Sequence, residues 1–483
     1  MPNEVNSQSA AVCAMAEHWP MIEALVGGTG AMRKAGEKLL PKFPAEDPDS
    51  YSARLSTATL FPAFSRTTEV LAAKPFSKPV HVEGIDDDME ELLEDIAGEG
   101  VTLHAFSAGL FLECTRMGLS GVLVDMPPKP DGVRTKADEA AAGLRPYFAV
   151  YRAPSILGWR AEGDTLTQLR LLETVMEPDG EWGEQCVEQV RVLTPGAWAT
   201  YRKVRGADGR EVWRVHEEGS TTLDRIPFVF FYGIREGFGA GRPPLLDLAF
   251  MNVEHYQSSS DQQTILHTAR VPLLFVKGLG EKEAITLGAG SFVRTTSADA
   301  DMKFVEHSGA AIEAGRQSLL DLEDRMRQTG AELLVQRPNT ATATQTVSET
   351  EGSKSILQRI VEIFEESLEE CLELMGAWLG KPDLEVEVSL FKDFGATNLS
   401  DQSMTTLLAA RQAGIVSNET AFKGLQRRDI IPSDIPWDEE QARIAGQPAP
   451  EEAEDLDEDG IDVDRGDPTK PPKQPPAKQP EMA

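Results

Sequence analysis

Residues 242–278 read RPPLLDLAFMNVEHYQSSSDQQTILHTARVPLLFVKG. Pro243 and Pro244 suit the first turn of a helix, where a missing N–H costs no bond. Val271 stands before Pro272, and the residue before a proline is pushed out of helical conformation. The helix predicted between these signals, residues 243–270, spans about 40 Å at 1.5 Å per residue. Its centre, QSSSDQQ at 257–263, is almost wholly polar. A helix in an apolar core would not carry that centre. The pattern predicts a helix exposed to solvent or packed beside copies of itself.

Downstream, PLLFVKG, SFVRTT and MKFVEH read as short strands, and residues 310–335 as a second long helix. QRPNTATATQT, residues 336–346, has small side chains and no bulky apolar group, so it reads as a loop. A third long helix is predicted over 347–379. Leu357, Val361, Phe364, Leu368, Cys371, Met375 and Trp378 recur at spacings of four and three, one continuous apolar seam. Glu362, Glu365, Glu366, Glu369, Glu370 and Glu373 are expected on a solvated opposite face. LEVEVSLF then reads as a strand, and 401–413 with 417–428 as a helical pair. Ordered structure is expected to fade beyond Pro432, and 446–483 is expected to be disordered, acidic and then rich in Pro, Lys and Gln.

Upstream, helices are expected at 11–25, broken by Gly27, Gly28 and Gly30, at 51–73 with a bend at Pro62, within 83–99, and at 102–117. Leu55, Thr59, Phe64, Val70 and Leu71 are the expected buried side of the second of these. GVLVDM at 121–126 reads as a strand, and 129–144 as a surface loop. From 147 to 231 the pattern turns to strands. PYFAVYRA, LTQLRLLETV, CVEQVRVLT, WATYRKV, EVWRVHE and FVFFYGI alternate with turn signals such as PDG and ADG.

The whole chain has 483 residues, 41% hydrophobic and 26% charged, ordinary for a globular protein. Its 47 basic and 79 acidic residues give 47 − 79 = −32. That balance argues against a conventional nucleic-acid binder, which needs a surplus of Lys and Arg. It does not exclude a protein that surrounds DNA without gripping it. Cys13, Cys114, Cys186 and Cys371 form no CxxC pair and read as buried free thiols. Residues 1–16 are polar with no basic stretch, so no signal peptide is expected. The longest apolar run, 226–232, is far short of the roughly 20 residues of a membrane span.

Motifs for chemistry are sparse. Gly237-Phe-Gly239-Ala-Gly241-Arg242 sits between a strand and a helix, but the third glycine of a dinucleotide loop would fall at Arg242. The expected reading is a flexible corner, with nucleotide binding as the alternative. Asp455-Leu-Asp457-Glu-Asp459-Gly460 opens like a calcium loop, then places Asp462 and Gly466 where an aliphatic residue and a bidentate glutamate belong. The histidines show no metal spacing; His255 and His267 are expected at a surface or interface. No catalytic residue, metal ligand or cofactor is expected, and the chain does not read as an enzyme.

The order of elements resembles tailed-phage portal proteins, and the local sequence resembles one portal-like phage family. The residues that carry this are RPYFAVYRAPSILGWR (145–160), IPFVFFYG (226–233), the 242–278 stretch, and TATATQTVSETEGSKSILQRIVEIFEESLEECLELMGAWLG (340–380). The likeness spans roughly 51–428. It implies an α+β fold of portal-like architecture: an N-terminal arm (1–50) and a mixed wing with a β-rich region (51–242 and 347–400). It further implies stem helices (243–270 and 310–335), a small α/β clip (271–309), crown-like helices (401–445) and the acidic tail. Residues 336–346 would be the tunnel loop, with Gln336, Arg337, Asn339, Thr340, Thr342, Thr344 and Gln345 as candidates for the DNA channel. The resemblance implies a ring, usually of twelve subunits, at one capsid vertex of the virion, assembled in the host cytoplasm. Double-stranded DNA would pass through it without sequence specificity during packaging and ejection. The implied partners are the terminase large subunit, a head–tail adaptor, scaffold and the major capsid protein, with no membrane. Another phage head, minor capsid or adaptor protein is the alternative, and a nucleotide-binding enzyme a more distant one.

Overall fold

The structure is a computed structural model. It describes residues 4–127, 142–206, 209–270, 273–277, 301–305, 309–334, 354–392 and 394, together with 411, 417–419, 421–422 and 436–445. The fold is mixed α+β, in two compact units, Met1–Gly395 and Ala396–Ala483. The loops expected at 129–144 and 336–346, most of the 271–309 segment and the tail 446–483 lie wholly or largely outside the described residues.

The first unit opens with helices α1 (Ala10–Ala16), α2 (Trp19–Val26) and α3 (Gly28–Ala35). The expected glycine break is therefore a sharp turn at Gly27 and Gly28, and Gly30 lies inside α3. Gly28 makes the turn at φ +73°, a conformation cheap only for glycine. Val12, Ile22 and Met32 are fully buried, so these helices contribute to the core. Trp19 Nε1 donates to the carbonyl of Met117 at 3.1 Å.

The expected bent helix at 51–73 is two helices, α4 (Pro48–Thr57) and α5 (Ala63–Ala73), joined by extended chain. Asp47 caps α4 by accepting from the amides of Asp49 and Ser50. Phe64 and Leu71 are buried as expected, but Val70 is 62% exposed and Thr59 is exposed too. The charged Arg54 is the buried residue of α4. Next come α6 (Asp87–Leu93), capped by Asp86, and α7 (Leu103–Met117), capped by Thr102 and ended by Gly118 at φ +83°.

The strand β1 (His81–Glu83), ahead of α6, pairs antiparallel with Glu387–Ser389, and two larger antiparallel sheets follow. In the first, β2 (Leu119–Asp125) lies between β3 (Tyr147–Arg152) and β9 (Phe228–Tyr232). All five residues of β9 are buried, as a strand covered on both faces requires. The second is a five-stranded meander of β4 (Ile156–Glu162), β5 (Thr165–Asp179), β6 (Gly183–Thr194), β7 (Ala197–Arg205) and β8 (Glu211–Ser220). The strand β4 adds to those read from the sequence, where the polar end of ILGWRAE masks it.

The third long helix, Ile356–Trp378, crosses the first sheet. It starts nine residues later than the predicted 347, because Ser355 and Gln358 form a reciprocal capping box. Its seam is buried, and Phe364 is the hub. The Phe364 ring lies 5.1 Å from that of Phe111 and 5.0 Å from that of Phe231. The glutamate face is not uniformly solvated. Glu365 is buried, accepting from the amide of Leu390 at 2.7 Å and from Lys392 Nζ at 2.8 Å. Burial pushes its carboxyl above the usual glutamate range, and Lys392 opposes that shift. Among the cysteines, Cys114 and Cys371 are buried, but Cys13 and Cys186 are exposed.

In the second unit, a helix at Trp437–Ala445 extends order past Pro432. The ring of Trp437 rests 5.2 Å from that of Phe422. Glu440 sits in its first turn, where the helix dipole favours negative charge.

Candidate functional site

The two long helices that flank the 273–305 region pack antiparallel as the arms of a hairpin. The first is Leu246–Ala269 and the second Ala310–Glu332; between them β12 (Leu273–Lys277) pairs with β13 (Asp301–Val305). Helices and strands share one register. In the strands, Leu273 stands opposite Val305 and Lys277 opposite Asp301. In the helices, Gln262 Nε2 donates to the carbonyl of Ile312 at 2.8 Å, and His255 Nε2 lies 3.5 Å from Glu323. Position numbers in each pair sum to 574–578, so neither arm slips. The first helix is about 36 Å long.

The polar centre of the first helix has a use inside the chain. Asn252 is fully buried. Its Oδ1 accepts from the amide of Phe64 at 2.9 Å, and its Nδ2 donates to the carbonyl of Phe61 at 2.8 Å. Gln257 Nε2 donates to the carbonyl of Leu39 at 3.0 Å. Asp261 lies 3.6 Å from buried Arg54, which also holds Glu46 at 2.8 Å and the carbonyl of Pro41 at 2.7 Å. Burial raises the Asp261 carboxyl, with Arg54 opposing; the hydrogen bond from Arg54 lowers that of Glu46. His255 is likewise buried within the chain, whereas a surface or interface position was expected, and His267 is exposed. Asn252 and Gln257 thus satisfy backbone groups of Leu39, Phe61 and Phe64, whereas Asp261 and His255 face the side chains of Arg54 and Glu323. The sequence signal was present in the polar run, but its targets, 188–218 residues away, were not legible.

The seven channel candidates, Gln336, Arg337, Asn339, Thr340, Thr342, Thr344 and Gln345, lie outside the described residues. The flanks of their segment are described and meet each other. The amide of Leu357 donates to the carbonyl of Leu333 at 3.2 Å. Leu333 and Leu357 are both buried. The end of the second helix and the start of the third are thus pinned side by side.

The Gly237–Gly241 corner is a packed hairpin of β10 (Ile234–Gly237) and β11 (Ala240–Arg242), not a flexible one. Gly239 takes φ +68°, and a Cβ there would meet the Trp159 ring at 2.5 Å. The amide of Gly239 donates to Tyr232 Oη at 2.9 Å, and that of Gly241 to Met15 Sδ at 3.4 Å. Amides already engaged within the fold are not free to cradle a phosphate, which removes the structural basis for the nucleotide alternative. Beside this hairpin, Arg225, Arg235 and Glu370 line a cleft of about 350 Å³. The Glu370 side chain is half exposed at the edge of this cleft; its partial desolvation there raises the carboxyl, and Arg225, 3.8 Å away, pulls the other way. Among the described residues no group of His, Cys, Asp and Glu is placed to hold a metal ion. No helix among them is long and apolar enough to cross a membrane.

Residues 244–379, the hairpin through the third helix, match a family described as a domain of unknown function (DUF4055). The chain is also similar to chains of solved gene transfer agent (GTA) particles. One is from the virion of a native particle, at 12% identity and TM-score 0.39, with 80% of this chain and 96% of that chain covered. A second is from the neck of an empty particle with C6 symmetry, at 13% and 0.40, covering 77% and 92%. A third is from the neck of a native particle with C12 symmetry, at 14% and 0.40, covering 80% and 96%. No curated protein matches the chain.

Proposed function

We propose that the chain is a portal-like subunit of a phage-type head–tail connector, a structural ring protein and not an enzyme. The observation that carries this reading is the in-register hairpin of two long helices capped by a strand pair, followed by a third helix pinned beside its base. Such a hairpin is a rigid stave, and copies arranged around an axis would line a bore. Residues 336–346 would then face the bore, their small side chains leaving room for a duplex. The charge of −32 suits a conduit, because a negative wall offers phosphates no deep well in which to stick. In this reading the strand pair meets the terminase large subunit and later the head–tail adaptor, and scaffold and major capsid protein surround the ring at the capsid vertex. Light scattering with negative-stain imaging tests it. A twelve-fold ring has a mass of 12 × 52.7, about 632 kDa, with a central hole. A species that stays at 52.7 kDa at all protein concentrations, even with scaffold present, would count against it.

A further inference from the structure

Among the described residues, none covers the outer half of the five-stranded sheet. Val204, Val212 and Val215 are 47%, 39% and 49% exposed, and Trp182 at the β5–β6 turn is 91% exposed. These residues lie on both faces of the sheet. Lys203 stands opposite Trp213 and Val204 opposite Val212, and successive strand residues point to opposite sides. Sheets gain stability by burying at least one face, and this half buries neither. The strand β8 is also an edge, with one side of its backbone unpaired in the sheet.

The same hairpin reverses the charge of the chain. Residues 201–216, YRKVRGADGREVWRVH, hold five basic and two acidic residues, 5 − 2 = +3, in a protein of −32. Lys203 Nζ rests 5.3 Å from the centre of the Trp213 ring. Among the described residues no carboxylate is in ion-pair range of Lys203, Arg205 or Arg214. The opposite patch is α6. Asp87, Glu90, Glu91 and Glu94 are exposed there without a cation among the described residues. Buried Met89 and Ile96, with the Lys381–Asp86 pair, hold that helix down and its acids outward.

We propose that the basic β7–β8 hairpin of one copy docks on the acidic α6 of a second copy. This rests on the ring reading above and adds the contact that builds the ring. Two copies of charge −32 repel, so they approach closely only where opposite patches meet. The two patches occupy different places on one chain, which makes the contact head-to-tail, the kind that closes a ring. The exposed valines favour a protein partner over DNA, because a phosphate backbone gains nothing from Val204, Val212 or Val215.

The test uses the full chain. Wild type is treated with a zero-length amine–carboxyl cross-linker, and the assembled fraction is mapped by mass spectrometry. Lys203 is expected to join Asp87, Glu90, Glu91 or Glu94 of another copy. The Lys203→Glu/Arg205→Glu/Arg214→Glu variant is expected to keep the wild-type circular dichroism and to raise the half-assembly concentration about tenfold or more. Adding Glu90→Lys/Glu91→Lys/Glu94→Lys is expected to restore assembly. Wild-type rings whose cross-links avoid α6, or whose mass is unmoved by the charge reversal, overturn this contact and leave the ring reading standing. Loss of DNA affinity with ring mass unchanged assigns the patch to DNA and overturns it as well. A wild-type chain that never assembles overturns both. If the triple reversal fails to fold, the wild-type cross-link map decides the question alone.

Discussion

Asn252 shows how one residue holds distant chain together. Fully buried, it serves an amide and a carbonyl from 61–64 at once. Asn252→Leu keeps the size but leaves both backbone groups unpaired, at roughly 2–4 kcal/mol. Chemical denaturation should show that loss in the midpoint with the slope unchanged; a shift below about 0.5 kcal/mol would mean that water replaces the amide. Glu370 gives a pH-dependent case. Its folded carboxyl titrates above the ordinary glutamate value, so the folded state binds the proton more tightly than the unfolded chain. Its contribution to stability is fully present below the unfolded value, about 4.3, and is lost as pH rises through the raised folded value. Glu370→Gln stays neutral throughout. The melting temperature of the variant minus that of wild type should therefore grow between pH 4 and 8. A difference that is flat or shrinks would refute the assignment.

At the scale of elements, the third helix acts as the girder of the first unit. Its Phe364 ring touches those of Phe76, Phe111 and Phe231, drawn from three other segments. Phe364→Ala removes that hub and leaves a cavity, at about 3–5 kcal/mol. A denaturant series should read that loss for the first unit; a cost under about 1 kcal/mol would show that neighbouring rings collapse into the space. The two-helix hairpin is an element of a different kind. Among the described residues of its second helix, Leu322, Met326 and Gly330 are buried and Leu333 follows them, Ile312, Gly315, Leu319, Glu323 and Thr329 are half-buried, and the others are exposed in the single chain. That exposure is what a stave between neighbours would show.

For the whole molecule, the pinned contact between Leu333 and Leu357 has a consequence for the segment between them. Deleting residues 339–345 shortens a segment whose described flanks, at Leu333 and Leu357, already meet, so the fold and any ring should survive. In the proposed role, DNA packaging or retention should fall while particle mass and melting temperature stay near wild type. Rings that fail to form would instead give the segment a structural duty.

The three long helices, the strand-rich region and the apolar seam are all legible in the sequence, because each is a local pattern. Proline placement, a period of 3.6 and alternation need only neighbours in the chain. Helix starts such as Ser355 and the turn at Gly28 were blurred, since a cap depends on which of several polar residues actually bonds. The duties of the polar residues were not legible at all. QSSSDQQ read as a face exposed to solvent or packed beside copies of the chain, yet Gln257 and Gln262 spend their side chains on carbonyls of Leu39 and Ile312. Glu365 looked like its solvated neighbours, yet it is buried under Lys392. A polar side chain carries no local mark of its partner. Whether it meets water or a buried backbone group depends on what folding brings beside it, and that is settled by contacts across hundreds of residues.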